Sequence, residues 1–73
     1  MRRAMQAIEA YLARHPQAAD SEQGIFDWWL PEMGVDLPRP DLRQALEALV
    51  QQGRLQRDTL PDGSAVYRAP RNP

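Results

Sequence analysis

The stretch from Pro38 to Ala69 constrains this chain more than any other. Leu42, Ala45, Leu46, Leu49 and Val50 recur at i, i+3, i+4, i+7 and i+8, the apolar stripe of an amphipathic helix. Gly53 follows directly, where a helix terminus favours a left-handed residue. Leu55–Leu60 and Ala65–Ala69 then flank Pro61-Asp62-Gly63-Ser64, four residues that each favour a turn for their own reason. The order is helix, glycine stop, strand, tight turn, strand. So short a hairpin does not stand alone in water, so residues 1–37 must supply helices for it to pack on.

Those residues carry two more helical signals. Ala4, Met5, Ile8, Tyr11 and Leu12 form an apolar stripe over Arg2 to Arg14, and Pro16 ends it. Ala18-Ala19 reads as a short strand. A second helix begins near Asp20 or Ser21, with Asp20 as N-cap and Gln23 three residues on as a capping box. Asp20 and Glu22 both suit the positive end of its dipole. It continues through Ile25-Phe26-Asp27-Trp28-Trp29-Leu30 and is expected to stop around Pro31. Met33–Leu37 is a connecting loop, and the third helix begins near Pro40, a residue suited to a first helical turn. The expectation is one small α+β domain over residues 1–69, three helices plus a two-stranded hairpin, with residues 70–73 as a disordered tail.

Composition removes several kinds of function. The 73 residues include no cysteine and a single histidine, His15, too few ligands for a zinc site of ordinary type. His15 is placed to complement the dipole at the end of the first helix. Ser21, Thr59 and Ser64 sit in cap or turn contexts without a second base nearby, and the four glycines form no phosphate-binding loop. No catalysis, metal or cofactor is expected. No apolar run approaches the ~20 residues that span a membrane, which points to a cytoplasmic protein.

At the third helix the residues resemble a known family. Arg39-Pro40-Asp41-Leu42-Arg43-Gln44-Ala45-Leu46, followed by Leu49, Gly53, Leu55 and Arg57, is similar to the recognition helix of GntR-type winged helix-turn-helix regulators. That family favours Ser-Arg-x-Thr-Val-Arg-x-Ala-Leu, then a leucine, x-x-Gly-Leu and an arginine entering the hairpin, or wing. The resemblance implies a winged helix-turn-helix fold, with Arg39, Arg43 and Gln44 facing the DNA major groove. On or near the wing, Arg54, Arg57 and Arg68 would then meet phosphates. It covers only the family's DNA-binding module. Pro38 stands where the family has its N-cap serine, and Asp41 where it has threonine.

Double-stranded DNA, bound by a small bacterial transcriptional regulator acting as a dimer, is thus the leading reading. Charge both supports and opposes it. All nine basic residues are arginine, the better fork for phosphate and guanine, yet the net charge is −1. Residues 1–19 carry +2 (Arg2, Arg3 and Arg14 against Glu9). Residues 20–37 carry −5 (Asp20, Glu22, Asp27, Glu32 and Asp36). Residues 38–73 carry +2, with six arginines against Asp41, Glu47, Asp58 and Asp62. Carboxylates on the helix before a recognition helix repel phosphate if they face it. The alternative is a protein-interaction module that binds no DNA. Ile25, Phe26, Trp28, Trp29 and Leu30 span an arc of about 200° at helical spacing, more than one small core covers. Phe26, Trp28 and Trp29 then become anchors for a second copy or another protein.

Overall fold

A computed structural model describes residues 1–71 of the chain. Its elements are α1 (Arg2–Arg14), β1 (Ala19–Asp20), α2 (residues 22–32), α3 (Arg39–Gln51), β2 (Gln56–Thr59) and β3 (Ala65–Arg68). No helix among the described residues is long and apolar enough to cross a membrane. The architecture is a small α+β domain: three helices against one antiparallel sheet.

The sheet has three strands, in the order β1-β3-β2, which corrects the two-stranded expectation. β1 pairs with β3 (Ala19↔Arg68, Asp20↔Tyr67), and β2 takes its other edge (Gln56↔Arg68 to Thr59↔Ala65). A two-residue strand has no alternation to read, and it lies one residue later than Ala18-Ala19. Central β3 places Tyr67 in the core beside Leu55. The hairpin closes through Gly63 N–H to Leu60 O at 2.9 Å and Leu60 N–H to Ser64 O at 2.7 Å. Asp62 Oδ1 accepts from Ser64 N–H and Oγ at 2.9 and 2.6 Å.

α2 departs furthest from expectation. Its N-cap is Ser21, whose Oγ accepts from Gly24 N–H at 3.1 Å, while Asp20 ends β1 and its Oδ1 accepts from Ser21 N–H at 2.8 Å. Gln23 does not reach back to form a capping box; it donates to Asp27 at 2.7 Å. The helix also passes through Pro31. Ile25–Trp29 is one turn of π-helix, and Leu30 N–H bonds to Ile25 O, five residues back. In an α-helix the proline ring meets the carbonyl four residues earlier. A widened turn just before Pro31 moves those carbonyls out of α register, and α-helix resumes over Leu30–Glu32.

α1 and α3 follow their apolar periods. Ala4, Ala7, Ile8 and Leu12 of α1, Ile25, Trp29 and Leu30 of α2, and Leu42, Ala45, Leu46 and Leu49 of α3 fill the core. α3 ends in a double closure: Gly53 N–H bonds to Val50 O at 3.1 Å and Arg54 N–H to Leu49 O at 2.9 Å. This pair of bonds requires a left-handed residue between them, and Gly53 has φ +72°. Beyond β3, Arg71 N–H donates to Gln56 Oε1 at 3.3 Å. Asn72 and Pro73 of the expected tail lie outside the described residues.

Candidate nucleic-acid interface

With Leu42, Ala45, Leu46 and Leu49 turned inward, ~100° per residue puts Pro40, Gln44, Glu47 and Gln51 on the outermost ridge of α3. All four are exposed. Arg39 and Arg43 lie on the flank beside the start of α2. There both meet Glu22, which is held at the first helical position by the Ser21 cap. Arg39 Nε and Nη2 reach Glu22 Oε2 at 3.0 and 2.9 Å, and Arg43 Nη2 reaches the same oxygen at 3.2 Å. Arg43 Nε donates to Glu22 Oε1 at 3.4 Å. Arg39 also donates to Gln23 Oε1 at 2.8 Å, and its guanidinium lies 5.2 Å from the centre of the Phe26 ring. Partial burial pushes the Glu22 carboxyl up, but hydrogen bonds and charge from Arg43 and Arg39 outweigh it and hold it below the usual range.

Arg57 continues this flank. Its register partner is Tyr67, so it shares the helix-facing side of the sheet, and its Nη1 donates to Glu47 Oε1 at 2.8 Å. Glu47, then Tyr67, hold the Arg57 guanidinium above its usual range, and the same hydrogen bond lowers the Glu47 carboxyl. Glu47 thus pairs across to β2 and not with Arg43 four residues away on its own helix.

The structure brings Arg39, Arg43, Gln44 and Arg57 to one side and leaves the other two sequence-predicted residues elsewhere. Arg54 sits past the far end of α3, about 20 Å along the helix from Arg39. It forms a two-pronged pair with Glu9 of α1, Nε to Oε2 at 2.8 Å. Arg68 points to the opposite face of the sheet from Arg57, where its Nη2 meets Asp58 Oδ2 at 2.8 Å. Gln56 donates to the other oxygen of Asp58 at 2.8 Å, and Arg68 Nε is buried without a partner among the described residues. Each of the five arginines expected to meet DNA therefore holds a carboxylate of its own chain.

The three aromatic residues of α2 also separate. Trp29 is 2% exposed and stacks on Tyr11 at 4.4 Å, so it belongs to the core and not to a surface. Phe26 is half-buried under Arg39. Trp28 alone stands in solvent, 70% exposed. Beside Phe26 an open groove of about 470 Å³ is lined by Leu30, Pro31, Val35 and Leu37, with Asp27 and Asp36 at its margins. His15 ends α1 as expected and also bonds Glu32 at the end of α2, Nε2 to Oε2 at 2.9 Å. No cluster of histidine and carboxylate groups that could hold a metal ion occurs among the described residues.

Compared with family models, curated proteins and solved structures, the chain matches none.

Proposed function

We propose that the chain is a winged helix-turn-helix domain that binds duplex DNA. The element order α1-β1-α2-α3-β2-β3, with β3 central in the sheet, supports the fold. The observation that carries the function is the shared flank of Arg39, Arg43 and Arg57 beside the exposed ridge of α3 that holds Gln44. α3 enters the major groove, Gln44 and Gln51 reach base edges, and the arginines hold phosphates along their shared flank. The β2–β3 hairpin lies along the backbone as the wing.

The internal ion pairs set the strength of this binding. An exposed pair is worth about 0–1 kcal/mol, so a phosphate can replace a carboxylate at small cost. The neutralised surface nevertheless gives a weak sequence-independent attraction, and two copies of so small a domain are needed for useful affinity. Titration with mixed-sequence duplex at low salt tests the reading. Affinity should fall steeply as salt rises, and the double variant R39A/R43A should lose most of it. Absence of binding would reject DNA as the ligand, and binding that ignores salt or survives the double substitution would reject this flank as the phosphate contact.

The second reading, protein binding through α2, is favoured by the exposure of Trp28 beside the acid-margined groove. If a second copy covers Trp28, sedimentation will give a two-chain mass that W28A reduces to one.

A further inference from the structure

We propose that Arg43 is a phosphodiester contact that Glu22 occupies while no nucleic acid is bound, so that carboxylate and DNA compete for its guanidinium group while Arg39 keeps Glu22 in place. The proposal rests on the DNA-binding reading and adds to it a built-in competitor. Glu22 is the most enclosed of the ion-paired carboxylates, its side chain 20% exposed. One oxygen, Oε2, accepts from both arginines within 2.9–3.2 Å. A guanidinium fork that holds a carboxylate through Nε and Nη2, as Arg43 holds Glu22, can hold two phosphate oxygens in the same way. The fold puts the carboxylate there: Ser21 fixes the first turn of α2, and Glu22 reaches across to residues 17 and 21 positions later on α3.

The two arginines are not equivalent. Arg39 is held three times over, by Glu22, by Gln23 and by the face of Phe26. Arg43 has Glu22 alone among the described residues, at longer distances, and its side chain is 68% exposed. Arg43 is therefore the arm that leaves Glu22 for a phosphate, while Arg39 stays and keeps the site formed. Glu22→Gln removes the competing charge and preserves the shape of the side chain. The lost competition corresponds to about fivefold tighter binding, the equivalent of one exposed ion pair.

The experiment is fluorescence anisotropy with a labelled mixed-sequence duplex, using the wild type, E22Q, D36N, R43A and E22Q/R43A. D36N makes the same charge change at a carboxylate that pairs with neither arginine. Expected are about fivefold tighter binding by E22Q with an unchanged log–log salt slope, since Arg43 meets one phosphate in both proteins, a clearly smaller gain for D36N, and for E22Q/R43A over R43A no more than the D36N gain. A gain equal to that of D36N, or one that persists undiminished without Arg43, overturns the competitor while leaving DNA binding standing. If no variant binds the duplex, the DNA reading falls and this proposal with it. A measurement on the wild type needs no variant to fold: at saturation the Arg43 Nε–H resonance should move and that of Arg39 should not. An unmoved Arg43 signal in the saturated complex overturns the proposal.

Discussion

Gly24 lies inside α2, where alanine is ordinarily better than glycine by about 0.8–1 kcal/mol. A Cβ built on Gly24 would lie within 1.9–2.2 Å of the Asp20 carboxylate. That carboxylate is the acceptor for Ser21 N–H at the start of the helix. Gly24→Ala must push Asp20 aside and cost the bond it makes, so the sign reverses: about 1 kcal/mol of stability is lost. With no side chain at position 20 the obstruction is gone, and G24A made in a D20G background should be stabilising. Chemical denaturation of the four proteins tests this. A stabilised G24A single variant would show that Asp20 does not occupy that space. The sequence marks Asp20 as a capping residue, but not the fact that it crowds Gly24. The same limit applies to the arginines. Their residue types and helix faces are legible in the sequence, while their partners are not. Glu22 is 17 and 21 residues from Arg39 and Arg43, Glu9 is 45 from Arg54, and the one pairing visible at helical spacing, Arg43 with Glu47, does not form.

At the scale of elements, α1 and α3 were legible because each buries one stripe at the α-helical period, and the hairpin because its turn residues act locally. α2 was legible as a helix but not in its extent. Pro31 carries a strong local stop signal, and only the π turn ahead of it lets the helix continue to Glu32. That turn also bears on the exposure of Trp28, since a widened turn rotates the later residues relative to α spacing. Trp28 faces solvent while Trp29 and Leu30 face the core. If the π turn has relieved the clash, Pro31 is unstrained. A proline inside an unbroken α-helix costs about 3 kcal/mol. Here Pro31→Ala should change stability by less than about 1 kcal/mol in either direction, because little strain is released and some unfolded-state freedom is restored. A gain near 3 kcal/mol in a urea titration would mean that the proline is strained where it stands.

Across the whole molecule, charge serves to join elements. Glu22 ties α2 to α3, Glu47 ties α3 to β2, and Glu9 ties α1 to the segment after α3. Among the described residues, Arg2, Arg3, Arg14 and Arg71 hold no carboxylate; the first three lie on α1 and Arg71 follows β3. The free positive charge thus lies on α1 and just after β3, and α3 and the hairpin keep theirs in pairs. This arrangement fixes how stability responds to acid. For Glu22 the opposing causes are burial, which raises the carboxyl, and the two arginines, which lower it further; for Glu47 the Arg57 hydrogen bond is the main cause of lowering. Both folded-state values lie below the ordinary 4.5, so the unfolded chain takes up protons first as pH falls. Their stabilisation is complete above the ordinary carboxylate range and is lost as pH drops through the lowered folded values. Melting temperature should therefore be insensitive to these two groups from neutral pH down to about 5.5 and fall below that. E22Q should melt slightly lower than the wild type at neutral pH, by the equivalent of at most about 1 kcal/mol after solvent screening. It should lose less on going to pH 3, because one of the titrating groups is gone. The same substitution is expected to tighten DNA binding, so a single carboxylate is asked to strengthen the fold and weaken the complex. Melting curves for E22Q that track the wild type at every pH would show that Glu22 does not stabilise the α2–α3 junction, and a rise in neutral-pH melting temperature would mean that burial outweighs the two arginines at that position.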